Sequence, residues 1–232
     1  MSKSKRRVEV VPNPEAEAVD LPEAWKKRPW VPYLIMGILV AVVLGSGLAL
    51  QQAVNQPRPM PLANCTTSPA IAVHAFIAPQ PVCIVPNRKY TATMNTTSGV
   101  FVIELLPDTA PATVNNFVVL ALNGYYTGSV FWKSESWVVQ AGDPNGDGTG
   151  GPGYSLPEEP NSFLNWDLGS VGMARIPGGP VNGSQFFITK AAWPGTGPTA
   201  TYNRFGTVVS GMEKVQAITP SDKIISITIS VT

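Results

Sequence analysis

Charge is what this sequence has least of. Of 232 residues only 31 are charged, 16 Lys or Arg against 15 Asp or Glu. The resulting 13% is about half the roughly 25% of ordinary soluble domains. A formal net charge of +1 supplies no field that would gather a nucleic acid. There is one histidine, His74, and there are two cysteines, Cys65 and Cys83. That set is too small for a conventional zinc site, and a Ser-His-Asp relay would have to recruit His74. Few charges beside an ordinary 44% of hydrophobic residues also argue against a disordered chain. Proline is the opposite case, with 23 residues, about twice the usual ~5%.

The few charges are unevenly placed. Residues 1–30 hold seven basic and five acidic side chains, residues 29–57 none, and residues 51–232 nine basic and ten acidic. From Val31 to Leu50 the chain reads VPYLIMGILVAVVLGSGLAL. At ~1.5 Å per residue this run spans roughly 30 Å, the thickness of a bilayer core. Pro32 falls in the first turn, where a missing N–H matters little, and Trp30 and Tyr33 lie where an aromatic belt would be. The expectation is a retained transmembrane helix over 31–50 that contacts the lipid bilayer. Seven Lys or Arg precede the run and only Arg58 closely follows it, which makes residues 1–30 a cytoplasmic tail and the rest extracytoplasmic. A buried core helix suits so long an apolar run less well. A cleaved signal peptide, with Gly47-Leu48-Ala49 as its small-residue site, is the alternative, but the run exceeds the roughly 7–15 residues of a signal core. Leu62-Ala63-Asn64-Cys65 resembles a lipoprotein box only superficially, since it lies well beyond the run.

Cys65 and Cys83 fall on the outer side of this span. An oxidising compartment would let them pair and close a loop of about eighteen residues, worth roughly 3 kcal/mol; two unrelated thiols are the alternative. Residues 51–83 are rich in Pro, Ala and Gln and read as an extended stalk. Beyond them, residues 84–232 alternate short β-rich runs with Gly, Pro and Asn turns. Strands are expected at Lys89–Asn95, Gly99–Leu105, Val130–Lys133, Trp137–Gln140, Ser170–Arg175, Gln185–Lys190, Phe205–Ser210 and Ile224–Ser230. Val114, Phe117, Val118 and Ala121 recur at helical spacing in Pro111–Leu122, with Asp108 or Thr109 available as cap and Gly124 as stop. A short second helix is expected at Met212–Ala217. Mainly β structure, a closed eight-stranded antiparallel barrel capped by two helices, follows from this pattern.

Several stretches resemble the cyclophilin family of peptidyl-prolyl isomerases. They are Asn182-Gly183-Ser184-Gln185-Phe186-Phe187-Ile188 after Gly172-Met173-Ala174, Gln140-Ala141-Gly142-Asp143-Pro144 with its Gly-rich continuation to Tyr154, the helix opening Ala110–Phe117, and Phe205–Met212. They occur in the family's order, over roughly residues 88–232. The resemblance implies a cyclophilin-like barrel with a proline pocket on its outer face, binding X-Pro segments of polypeptides without a cofactor or metal. It assigns Gln140 as the pocket glutamine, Ala174 and Gln185 as groove residues and Phe187 as the pocket floor. Met173 would pack beneath the groove. Trp137 falls where the family has a pocket phenylalanine, Val138 where it has Met or Val, and Trp193 and Tyr202 approximate its rim.

One stretch departs from the family. Where its members read Phe-His-Arg-Val-(Ile/Val)-Pro-x-Phe, this chain reads Phe131-Trp132-Lys133-Ser134-Glu135-Ser136-Trp137, one residue shorter. Lys133 takes the place of the catalytic arginine, supplying positive charge without a planar multi-donor fork, and Glu135 is close enough in sequence to pair with it. Arg175, where the family often has Asn, is a second cation near the groove. Two expectations result: an isomerase for exported or membrane proteins with Lys133 and Gln140 as its catalytic groups, or a cyclophilin-like binding module serving as an accessory subunit of a membrane protein complex. The outer region, with 19 charges in 182 residues, favours some partner or bilayer contact.

Other motifs carry less. Asp143-Pro144-Asn145-Gly146-Asp147-Gly148 opens like a calcium loop, but the twelfth position is Tyr154 and no helices flank it. Gly146-x-Gly148-x-x-Gly151 is followed by Pro152 rather than by the helix that a dinucleotide site needs. Glu158-Glu159 reads as a solvated turn between prolines. Asn64, Asn95 and Asn182 open sequons that matter only in a glycosylating host.

Overall fold

Strict alternation of buried and half-exposed side chains marks the first long hairpin. The computed structural model describes residues 62–159, 165–176, 178–193 and 202–232; the run expected to span a membrane and the tail before it lie outside the described residues. No helix among the described residues is long and apolar enough to cross a membrane. In chain order the strands and helices are β1 (Ala70–Ala72), β2 (Ala75–Phe76), β3 (Tyr90–Thr96), β4 (Gly99–Leu105), α1 (Pro111–Leu122), β5 (Lys133–Ser134) and β6 (Val138–Ala141). They continue as β7 (Ser155–Leu156), β8 (Ser170–Arg175), β9 (Val181–Thr189), β10 (Arg204–Ser210), α2 (Met212–Ala217) and β11 (Ile224–Val231). In β3, Tyr90, Ala92, Met94 and Thr96 point inward at period two, and the strand pairs with β4 from Tyr90 opposite Leu105 to Thr96 opposite Gly99.

The main sheet is antiparallel and curled, with nine strands in the order β11-β3-β4-β10-β8-β9-β6-β5 and β7 added on β9. This corrects the expected closed eight-stranded barrel. The two ends of the sheet, β5 and β11, share no ladder; the segments leading into them meet in one bridge, Val130 opposite Lys223. The strand expected over Val130–Lys133 is shortened for the same reason. Phe131 donates its N–H to Asp222 and accepts from Ser221, so its peptide groups are spent on that crossing and β5 begins only at Lys133. β7 was not anticipated; its two residues carry too little pattern to be read.

α1 forms where its spacing places it, yet its cap is different. Ala110 is the N-cap residue and offers no side-chain hydrogen bond. Glu159 does the work from a distance: its carboxylate accepts from the Ala112 and Thr113 N–H groups at 2.8 and 2.9 Å and from the Thr113 hydroxyl at 2.7 Å. A negative charge at a helix N-terminus satisfies orphan donors and suits the helix dipole. The pair expected as a solvated turn is thus a helix cap (Glu159) and an ion-pair partner (Glu158, below).

Every residue of α1 from Thr113 to Ala121 is buried, because the helix is covered on both sides. On one side lies the curled sheet: Phe117 meets Phe186 edge-on at 5.8 Å and Phe205 at 5.2 Å. On the other lies the segment 62–84, expected as the far part of an extended stalk. Leu62 and Cys65 are fully buried, and Cys65 is disulfide-bonded to Cys83. Asn115 accepts from the Cys83 and Ile84 N–H groups and donates to the Pro81 carbonyl. Gln80 donates to the Tyr154 hydroxyl, which donates to Asn116. Proline-rich composition read as a stalk because the polar residues that receive this segment are far away in sequence.

Candidate functional site

Register across the sheet brings the sequence-predicted residues into one row. Lys133 on β5 lies opposite Gln140 on β6, Gln140 opposite Phe187 on β9, Phe187 opposite Gly172 on β8, and Gly172 opposite Arg204 on β10. Directly paired residues share a sheet face, so these side chains look outward, away from α1. Period-two alternation sends their neighbours inward: Phe186 and Met173 are fully buried in the main core. Met173 therefore lies beneath the groove, while Ala174 faces it.

Around Phe187 a second apolar cluster forms, distinct from the main core. It contains Val138, Trp166, Ala174 and Phe187, with Trp137, Trp193 and Tyr202 packed against it. Trp166 stacks on Phe187 at 5.2 Å and 26°. Tyr202 meets Phe187 edge-on at 5.4 Å, and Trp137 meets Trp193 at 5.0 Å. Gly172 makes this stack feasible, since a Cβ there would lie 2.4 Å from the Trp166 ring and 2.7 Å from Phe187. The rim is tied down from behind. Trp193 donates its N–H to the Trp166 carbonyl at 2.8 Å. Next to Tyr202, Asn203 is buried and donates to Thr113 and Pro157. Arg204 donates to the Asn165 carbonyl and to the Thr207 hydroxyl, and burial pulls its pKa below the ordinary arginine value.

A cavity of about 150 Å³ opens in this cluster, lined by Lys133, Trp137, Val138, Gln140, Ala174, Arg175, Phe187, Trp193 and Tyr202. A larger one of about 510 Å³ adjoins it, sharing Gln140, Ala174 and Arg175 and adding Trp132, Tyr154, Ile176 and Gln185 among others. Gln185 lines only the larger cavity, and Met173 lines neither. Gln140 donates to Gln185 at 3.1 Å, and Gln185 donates to the Gly148 and Gly150 carbonyls. The glutamine pair thereby fixes the Gly-rich loop beside the groove. Asp143 holds that loop from within: its carboxylate accepts from the N–H groups of Asn145, Asp147 and Gly148, so the calcium-like motif is a backbone-satisfied turn. No cluster of metal ligands occurs among the described residues.

Lys133 has a defined place on the sheet, paired with Gln140, and the turn that follows is closed by Glu135, which donates its N–H to the Val138 carbonyl at 2.8 Å. Lys133 is about one-third exposed and its ammonium lies 3.1 Å from Glu135. Arg175 is paired at 2.8 Å with Glu158 and donates to the Gly179 carbonyl. Trp132 packs over Gly148, where a Cβ would come within 2.9 Å of its ring. Its indole N–H is buried without an acceptor among the described residues.

Sequence reasoning missed Trp166, which stands alone in an irregular stretch. The signal that could have found it was Gly172, a glycine in mid-strand marking a close approach. This arrangement, an apolar aromatic cup with two cations, Lys133 and Arg175, and one amide, Gln140, at its edge, can hold a small ring and interact with an adjoining polar group.

Comparison with known proteins follows the same lines. The family described as cyclophilin type peptidyl-prolyl cis-trans isomerase/CLD matches residues 91–228. A peptidyl-prolyl cis-trans isomerase of Arabidopsis thaliana is 40% identical over 129 residues, 54% of this chain and 20% of that protein. Another from Rhizopus delemar is 40% identical over 148 residues, covering 60% and 23%. The chain thus spans about a fifth to a quarter of the length of these relatives. Among solved structures, a cyclophilin-type peptidyl-prolyl cis-trans isomerase of Cryptosporidium parvum superposes with a TM-score of 0.56 at 28% identity, covering 61% of this chain and 98% of that one. The same protein in the presence of the dipeptide Ala-Pro gives 0.56 at 30% identity, covering 60% and 98%.

Proposed function

The chain belongs to the cyclophilin-type peptidyl-prolyl cis-trans isomerase family, and on that premise we propose that it isomerises X-Pro bonds at the cavity around Phe187. The supporting observation is the composition of that cavity: a floor and rim of Phe187, Trp137, Val138, Trp193 and Tyr202, with Lys133 and Gln140 at one edge. Its volume of about 150 Å³ suits a single ring rather than a drug-sized ligand, which needs upwards of roughly 300 Å³.

Rotation about a prolyl amide faces a barrier of roughly 18–20 kcal/mol and takes tens of seconds or more unaided. No bond to the enzyme is required. Holding the ring in the aromatic cup while the carbonyl side turns lowers the barrier if the twisted amide is bound better than either planar form. Twisting localises the lone pair on nitrogen, and a positioned donor or cation stabilises that charge distribution. Lys133 is the group for this, and Gln140, fixed by Gln185, positions the amide.

The site of action is read from the chain outside the described residues. The run 31–50 anchors the protein in a bilayer with residues 1–30 cytoplasmic, and residues 84–232 act outside on exported or membrane proteins. The Cys65–Cys83 disulfide is in keeping with an oxidising compartment. A second reading, a weakly active binding module within a membrane protein complex, is favoured by the ion pairs that engage both cations lining the cup, Lys133 with Glu135 and Arg175 with Glu158.

A protease-coupled isomerisation assay on the full chain separates the two. Under the first reading the wild type accelerates isomerisation, Lys133→Ala lowers kcat/KM by about tenfold or more, and Glu135→Gln raises it, since a partly solvated donor contributes less than the 10²–10³ of a fully preorganised one. A wild-type rate equal to the uncatalysed one would overturn that reading in favour of the module. Activity indifferent to Lys133→Ala would remove Lys133 from its role.

A further inference from the structure

The loop closed by the Cys65–Cys83 disulfide precedes residues 91–228, where the family match lies. Its inner side is latched: Ser68 donates its N–H to Gln80 at 2.9 Å, Gln80 reaches Tyr154, and Asn123 donates to the Cys65 carbonyl. Its outer side carries a different chemistry. Phe76 in β2 is turned inward, 6.3 Å from Tyr125. Ile77, next to it in the chain, faces outward, as does Ile71, which sits at an irregularity in the β1–β2 pairing, with Val73 at the tip of the hairpin. Ile71, Val73 and Ile77 are 67%, 87% and 61% exposed. His74, at the tip with φ of 59°, rests its ring edge-on against the buried Tyr125 at 5.0 Å, so one side of the tip is fixed to the domain while Val73 faces outward. From Arg58 to Arg88 there is no intervening charge.

We propose that this hairpin tip, Ile71, Val73 and Ile77, seats in the interfacial layer of the bilayer that carries the chain. The inference rests on the reading of residues 31–50 as a membrane anchor. Between Leu50, where the apolar run ends, and Leu62, a fully extended chain reaches at most roughly 40 Å. The domain is thereby confined beside the membrane, where even a weak apolar contact is made at high effective concentration. Exposed aliphatic side chains gathered on one rigid projection are an interaction surface rather than scattered exposure. Lipid is the occupant that this surface fits. It presents no basic group to an anionic headgroup, which makes the contact apolar and insensitive to salt. A protein interface would be expected to carry directional hydrogen bonds across a patch of this kind, whereas the acyl boundary asks only for apolar area.

The test uses the full chain reconstituted into phosphatidylcholine vesicles, with an environment-sensitive fluorescent amino acid at position 73 or, separately, in place of the exposed Lys214. Acyl-brominated phosphatidylcholine should quench position 73 at least twofold and leave position 214 unaffected. Neither added salt nor phosphatidylglycerol should change this. Ile71→Ser combined with Ile77→Ser should reduce the quenching at 73 without moving the thermal midpoint. Vesicles that float with the protein but leave position 73 unquenched, whether solvated or shielded by a second copy or a co-purified protein, overturn the inference and leave the anchor standing. Equal quenching at both positions overturns it as well. A chain that does not float with the vesicles overturns both the anchor and the hairpin contact.

Discussion

Phe186 and Phe187 are neighbours on β9, identical in chemistry and nearly so in exposure, at 0% and 5%, yet they belong to different parts of the protein. Phe186 meets Phe117 and Tyr126 at 5.8 and 5.7 Å in the core between the sheet and α1. Phe187 stacks on Trp166 and faces Tyr202 in a cluster over which no helix or strand among the described residues is laid, and a cavity remains. Burial alone therefore does not separate a ring packed in the core from one that lines a cavity. The difference lies in what covers the far side: a helix, itself clamped by a disulfide-closed loop, or a gap of one ring's size.

Truncating the two rings should give opposite outcomes. Phe186→Ala leaves a hole in a packed core and should lower stability by about 3–5 kcal/mol, read as a shifted urea midpoint. Phe187→Ala should lower stability by less, because part of its ring already borders a cavity. It should instead reduce kcat/KM for a prolyl peptide by about thirtyfold, the equivalent of roughly 2 kcal/mol of lost apolar contact. A Phe187→Ala protein that unfolds more readily than Phe186→Ala with unchanged kcat/KM would erase the distinction. The loop behind α1 gives the next largest effect. Replacing Cys65 and Cys83 together by serine should lower stability by about 3 kcal/mol while leaving kcat/KM for a short peptide unaltered. Among the described residues that loop reaches the groove side through Tyr154, bonded to Gln80 and lining the larger cavity, and through Phe76, whose N–H donates to the Pro152 carbonyl at 2.9 Å.

Much of this contrast was legible in advance, and the misses share a cause. The helix Pro111–Leu122 has the bounds that its spacing and Pro111 suggested, because period and punctuation are local signals. The family fold was legible from Asn182–Ile188 and its companions in order. What local signals could not carry was long-range satisfaction. Glu159 caps a helix 46 residues away from it, and the segment 62–84 found its partners on Asn115 and Asn123 and, through Tyr154, on Asn116. Trp166 was invisible in the same way, since the ring it stacks on, Phe187, lies 21 residues further along the chain. The placement of Lys133 is of the same kind, since it follows from the pairing of β5 with β6 across the sheet rather than from the residues beside it in sequence.

The last and smallest expected effect again separates the two faces, through the phenols under the latched loop. Burial pushes Tyr125 up to about 12, against a hydrogen bond with Ser184 that pulls the other way and a smaller rise from Asp143; burial drives Tyr126 and Tyr154 upward too. Unfolded tyrosines titrate near 10. Between about 10 and about 12 the native state therefore keeps protons that the unfolded chain releases. Stability is undiminished below about pH 10 and falls as pH rises through that window. Tyr125→Phe keeps the ring against His74 and Tyr126 while deleting the ionisable group, losing the hydrogen bond to Ser184 at 3.1 Å. It should start less stable at neutral pH and decline less steeply in urea titrations run across the alkaline range. Parallel declines in the two proteins would mean that the alkaline loss arises elsewhere, and would leave the latched face no more pH-sensitive than the groove.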